Sequence, residues 1–125
     1  MLRVFNLTRQ VPLAYKVRLA DTFWSRLVGL LNRKNLSPGE GLLINPCRGV
    51  HTWFMRFPID VVFLDRDLRV VGVVENLTPY RCSPFFNNAV MTLELPVLTV
   101  KGTDTRLGDC LEIRGNDSAI SLFIN

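Results

Sequence analysis

The sequence predicts a mostly β fold, a sandwich or barrel-like single domain over residues 1–125, with one packed α-helix at about residues 21–32. Three observations carry that expectation. Short apolar runs recur along the chain, several of them alternating apolar and polar residues with period two. Gly, Pro, Asn and Asp separate the runs. Only one stretch switches clearly to helical spacing, so the helices that a parallel α/β sheet needs between its strands are missing.

Taken in order, residues 2–7 read as a first strand. Residues 13–19, Leu-Ala-Tyr-Lys-Val-Arg-Leu, alternate and so read as a strand with one face buried. The period then changes. Asp21 can cap a helix beginning at Thr22, and Phe23, Trp24, Leu27, Val28, Leu30 and Leu31 form a broad apolar stripe expected to be core, with Ser25 and Arg26 opposite. The helix is expected to end near Asn32–Asn35, ahead of the Ser37-Pro38-Gly39 turn. Residues 41–45 read as a short buried strand stopped by Pro46. Residues 49–55 carry β-branched and aromatic types and read as extended. Ile59–Leu64 is nearly all apolar and reads as a central strand, with Asp65-Arg66-Asp67 turning into a hairpin partner at 68–75. A Pro- and Asn-containing loop precedes a strand at 89–95, stopped by Pro96. Residues 97–101 admit a short helical turn. Gly108-Asp109 turns into a strand at 110–114, and residues 119–124 add a last one.

Composition narrows the function. The chain is 48% hydrophobic, enough to fill one core, and no run is long enough to span a bilayer. The start lacks an apolar leader and a small-residue cleavage site, which reads as an unexported protein. Three cysteines, Cys47, Cys82 and Cys110, cannot all pair within one chain, so a reducing cytoplasm is the expected setting. The net charge is +4, but the basic residues are scattered. A nucleic-acid binder concentrates its charge on a stripe, so no nucleic-acid partner is expected.

Polar chemistry concentrates in residues 47–65. This segment holds the only His, His51, together with Trp53, Met55 and a carboxyl group, Asp60, set in an apolar run. On a strand, His51, Trp53 and Met55 would share a face, with Thr52 and Phe54 on the other. The Phe57-Pro58 step would bend Asp60 back towards them. A buried carboxylate needs donors, and His51, Arg48, Arg56 or a backbone N–H are the candidates for Asp60. Glu94 alternates with Leu93 and Leu95, which points it to an exposed face.

Other site chemistries fit poorly. A zinc site would need paired ligands such as C-x₂-C, which are absent, and no cofactor loop of phosphate-binding type occurs. Cys47 and His51, four residues apart, meet as a nucleophile and base only if Gly49 makes a tight turn. The expected site is a small-ligand pocket made by Arg48, His51, Thr52, Trp53, Met55, Arg56, Asp60 and Glu94, with Arg81 nearby. An aromatic beside an acid suits a sugar-like ligand, and the arginines suit an anion. The alternatives are a small acid–base enzyme using His51 with Asp60 or Glu94, and a structural protein that binds a partner through an edge strand.

The run Val50-His51-Thr52-x-x-Met55-Arg56-Phe57-Pro58-Ile59-Asp60-Val61-Val62-Phe63-Leu64-Asp65 resembles the signature of the domain of unknown function 192 family, small prokaryotic proteins of no established activity. Arg26-x-x-Gly29-Leu30, Gly41-Leu42-Leu43, Val70-Val71, Leu93-Glu94-Leu95-Pro96 and Gly108-Asp109 agree, so the resemblance covers residues 12–114. It implies a compact β-rich fold with a polar patch, and no reaction. Two departures stand out. Where the family has a small residue and Gly after Leu-Glu-Leu-Pro, this chain has Val97-Leu98, which disturbs the turn expected there. Trp53-Phe54 replaces a lighter pair and is expected to narrow any pocket.

Overall fold

The computed structural model describes residues 1–115, all but the side chain of Phe23 among them. The strand expected at 119–124 lies outside the described residues. Seven strands form one sheet: β1 (Leu2–Asn6), β2 (Val11–Ala20), β3 (Glu40–Ile44), β4 (Ile59–Leu64), β5 (Val70–Leu77), β6 (Met91–Pro96) and β7 (Leu111–Gly115). Two short helices, α1 (Phe23–Val28) and α2 (Thr99–Thr103), complete the elements. No helix among the described residues is long and apolar enough to cross a membrane.

The strand order is β5-β4-β6-β3-β2-β1-β7. Only β2 and β3 run parallel, joined through α1; the other neighbours are antiparallel. The sheet curls until its two ends meet. The Val70 N–H donates to the Asp109 carbonyl at 2.8 Å, Gly108 N–H donates to Val70 at 2.8 Å, and Leu111 N–H donates to Leu68 at 2.9 Å. Of the two architectures expected, the barrel-like one is therefore found. Asp109 also anchors this seam through its side chain, accepting from Asn6 Nδ2, Arg9 Nε and the Arg106 N–H.

Curling gives the sheet a concave and a convex face, and both are covered. Inside lie Val4, Val17, Leu43, Val62, Leu64, Leu93, Leu95 and Ile113, with Val100 of α2 closing one end. Outside, Leu42, Ile44, Ile59, Val61 and Phe63 pack beneath Leu30, Leu36, Met55 and Phe86. A strand in the middle of such a sheet has no solvent face, which is why β4 and β6 are buried at every position. Apolar alternation therefore vanishes in β4, the strand read as central from its continuous hydrophobicity.

The helix after β2 is shorter than its apolar stripe predicts. Thr22, not Asp21, caps it: its hydroxyl accepts from the Ser25 N–H, and the Thr22 N–H donates to the Ser25 hydroxyl oxygen. Gly29, at φ +49°, ends it after six residues, and the chain continues as turns. The stripe consequently unwinds. Leu30 is buried, but Trp24 is 68% exposed and Leu27 is exposed as well, contrary to the expectation that they are core.

The departure at Val97-Leu98 has a local cost. Leu98 precedes α2 at φ +74°, a left-handed conformation that glycine adopts freely and a side chain with Cβ does not. Its side chain is 69% exposed, so little packing is at stake. Leu98→Gly is expected to stabilise the protein by about 0.5–1 kcal/mol, the relief of Cβ strain being partly offset by glycine's larger unfolded-state entropy. A thermal melt of the two proteins checks it.

Candidate functional site

A cavity of about 310 Å³ opens on the convex side, between the segment 26–31, the loop 46–55 and the sheet. Its walls are largely apolar, from Leu27, Leu30, Leu31, Ile44, Val50 and Met55. Arg26, Cys47, His51 and Glu94 supply the polar groups.

Glu94 reaches this cavity because of its place in β6. Met91, Leu93 and Leu95 point inward, so Thr92 and Glu94 point outward. Glu94 lies between Leu42 of β3 and Val61 of β4, its register partners. The sequence pattern points it to an exposed face, yet it is only 4% exposed, since α1, the turns after it and the loop 46–55 cover that face. Burial pushes its carboxyl group up to about 7. No hydrogen-bond donor among the described residues reaches it.

Cys47 sits beside it, above Thr92, whose hydroxyl donates to the Cys47 carbonyl at 3.1 Å. The Cys47 thiol donates to the Gly49 carbonyl at 3.2 Å, and burial raises its pKa. A raised thiol is a poor nucleophile, so the chance proximity of Cys47 and His51 in one cavity wall does not make an activated pair. Arg26 stands at the rim, its guanidinium on the carbonyls of Thr22 and Pro46, both at 3.3 Å. No cluster of three or more potential metal ligands occurs among the described residues.

Of the residues read as a site from sequence, His51, Met55 and Glu94 line the cavity together, and Arg48, Thr52, Trp53, Arg56 and Asp60 do not. The segment 49–55 is not a strand. A single bridge joins His51 to Cys82, and a turn follows in which Phe54 takes φ +66°. Thr52 sets that geometry. It is fully buried, its hydroxyl donates to the Thr78 carbonyl and accepts from the Arg81 N–H, and its backbone bonds Arg81, Tyr80 and Met55. It is a staple between two loops.

Asp60 does not turn back towards His51. It shares the concave face with Val62 and Leu64, on the other side of the sheet from Glu94. There it is 1% exposed and both oxygens are used: Oδ1 accepts from the Asn76 N–H at 2.9 Å and Oδ2 from the Val100 N–H at 3.0 Å. It caps the first turn of α2 from a neighbouring strand. The donors are backbone groups, one of the options open from the sequence, and the His51–Asp60 pair is replaced by His51 with Glu94.

Arg48 and Arg56 are exposed outside the cavity. Trp53 and Phe54 also turn outward and so do not narrow it; both pack edge-on to exposed Tyr80, at 6.1 and 5.8 Å between ring centres. Of the polar groups that line the cavity, Arg26 and Cys47 are not in the pocket expected from sequence, nor are the apolar residues of segment 27–31. Gly29, which ends α1 and swings Leu30 under the sheet cover, was the available signal.

Comparison with known proteins agrees with this architecture. A UPF0127 protein of Pyrococcus abyssi is 33% identical over 87% of this chain and 95% of its own, and one of Pyrococcus furiosus is 32% identical over 87% and 96%. Two crystal structures share the fold. One is a protein of unknown function from Novosphingobium aromaticivorans (TM-score 0.75, 22% identity, 89% of this chain and 82% of that one). The other is described as a putative transcription regulator from Sinorhizobium meliloti (TM-score 0.73, 25% identity, 89% and 90%). The family model for DUF192, described as an uncharacterized ACR, matches residues 4–113. The chain belongs to the DUF192 family.

Proposed function

We propose that the protein is a small-ligand-binding module, and that its ligand occupies the cavity under segment 26–31 and is held by Glu94. The carrying observation is Glu94 itself: a residue 4% exposed, its carboxyl group without a donor among the described residues and facing a cavity of about 310 Å³. Burial disfavours the ionised form of such a group, and the buried Asp60, by contrast, has a backbone donor on each oxygen. Apolar walls with a few convergent polar groups are the usual make-up of a ligand site.

Met55 provides the test, because it is buried and lines the cavity while the chain has only three Met. In a fragment screen read by the ¹³C-methyl resonance of Met55, some compounds are expected to shift that signal saturably. Val50→Trp, which fills the cavity from its wall, is expected to abolish those shifts. A screen without Met55 shifts, or hits that survive Val50→Trp, overturns the reading.

One observation favours a second reading. Glu94, with its pKa near 7, and His51 line the same cavity, the combination that acid–base catalysis requires. That reading predicts turnover of some substrate that is lost in both Glu94→Gln and His51→Ala. Turnover retained in either variant removes it.

A further inference from the structure

We infer that the ligand is a small, mainly apolar amine, bound with its ammonium group against Glu94 and its hydrocarbon body along Leu27, Leu30, Ile44, Val50 and Met55. This rests on the ligand-binding reading of the cavity and names the chemical class that would fill it.

The first ground is the missing counter-charge. Among the described residues the wall contains one permanent cation, Arg26, and its guanidinium is turned onto the carbonyls of Thr22 and Pro46. The other titratable groups that the described residues bring to the wall are Cys47 and His51, both from the loop 46–55. Burial raises the pKa of the Cys47 thiol, which keeps it neutral, and His51 is exposed. From the sheet, β3 and β4 flank Glu94 with Leu42 and Val61 only. An ionised Glu94 therefore has no protein partner among the described residues of the wall, and burial of the residue disfavours a charge that stands alone. A ligand that brings a positive charge removes that cost, and the charge-assisted hydrogen bond it forms is of the strong kind.

The second ground is the composition of the wall. A sugar would lay its hydroxyls on Leu and Met side chains and leave most of them without partners. An anion would meet the Glu94 carboxylate. A neutral apolar molecule would fill the space and leave Glu94 unsatisfied. Size adds a limit: at roughly 30 Å³ per water-sized group, about 310 Å³ holds on the order of ten non-hydrogen atoms.

Proton linkage follows from the same contact. An ammonium stabilises the ionised form of Glu94, so binding near pH 6 should release up to about one proton from it, and binding near pH 8.5 should release almost none.

The test compares three probes of one shape, 2-phenylethylamine, 2-phenylethanol and phenylacetate, by calorimetry and by the Met55 methyl signal. The amine is expected to bind at least about tenfold more tightly than the alcohol, with phenylacetate weakest. Calorimetry in buffers of different ionisation enthalpy should show the proton release near pH 6. Glu94→Gln keeps the shape and one acceptor oxygen but not the charge; it should bring amine and alcohol to equal affinity and abolish the proton release. If the alcohol or the acid binds as well as the amine, or if the amine preference survives Glu94→Gln, the amine inference is overturned while the cavity reading stands. If neither the three probes nor any fragment moves Met55, or if binding persists in Val50→Trp, the cavity reading falls and the amine with it.

Discussion

Glu94→Gln is expected to stabilise the protein by about 3 kcal/mol above pH 8 and to leave it almost unchanged below pH 4. The magnitude follows from the distance between an ordinary glutamate value of 4.5 and about 7, at about 1.4 kcal/mol for each tenfold change in proton affinity. The direction follows from proton counting. Between 4.5 and about 7 the folded protein holds a proton on Glu94 that the unfolded chain has released. Unfolding then releases a proton, so stability falls as pH rises through that window and levels off above it. Below 4.5 the group is protonated in both states and contributes no slope. Gln cannot ionise, so the difference between the two proteins isolates Glu94 from every other carboxylate. Urea unfolding at several pH values measures it. A difference that is flat with pH would mean that Glu94 is ionised and satisfied in the fold, which would also remove the ground for a ligand at that site.

Asp60→Ala should act in the opposite sense, destabilising by about 3–5 kcal/mol at neutral pH. The substitution removes an acceptor that serves two backbone donors, the N–H groups of Asn76 and Val100. Bonds to a charged acceptor contribute about 1.5–3 kcal/mol each, and the two N–H groups would be left facing the buried concave side. Asp60→Asn should lose less, about 1–2 kcal/mol, since one acceptor oxygen remains. Ligand binding offers the sharper contrast: Asp60→Asn, still folded, should retain the Met55 response to ligand, whereas Glu94→Gln, though more stable, should lose the preference for an amine. Two acidic residues of similar burial in adjacent strands would then differ fully in role.

Much of the architecture is legible in the sequence because strands in a curled sheet keep local signals. The run Ile59–Leu64 reads as a central strand since both of its faces are covered, and Asp65-Arg66-Asp67 marks the hairpin that follows. Local patterning fails where a tertiary cover decides exposure. The alternation around Glu94 points outward, and outward is correct; what sequence spacing does not convey is that the segment 26–31 and the loop 46–55 lie over it. The same reason explains Asp60. Its neighbours in sequence suggested His51, but the strand pleat sets it on the opposite face, against a helix forty residues later. Residues 49–55 have strand-like composition, yet Thr52 trades ladder bonds for bonds to Thr78, Tyr80 and Arg81, and the extended face of His51, Trp53 and Met55 never forms. The helix stripe fails for a backbone reason, the stop at Gly29.

The strand order carries a consequence for biosynthesis. As the chain emerges from its N-terminus, β1, β2 and β3 can pair with one another, and β4 with β5 can form a hairpin, but nothing links these two pieces. β6 lies between β3 and β4, so it is the first element to join them, ahead of the β5–β7 seam, and it arrives after residue 90. Until then, two partial sheets each present an apolar face with no cover, the state in which nascent chains need protection from one another. The residue proposed to hold the ligand is on the strand that bridges the two pieces, so a binding-competent site exists only once β6 has been made.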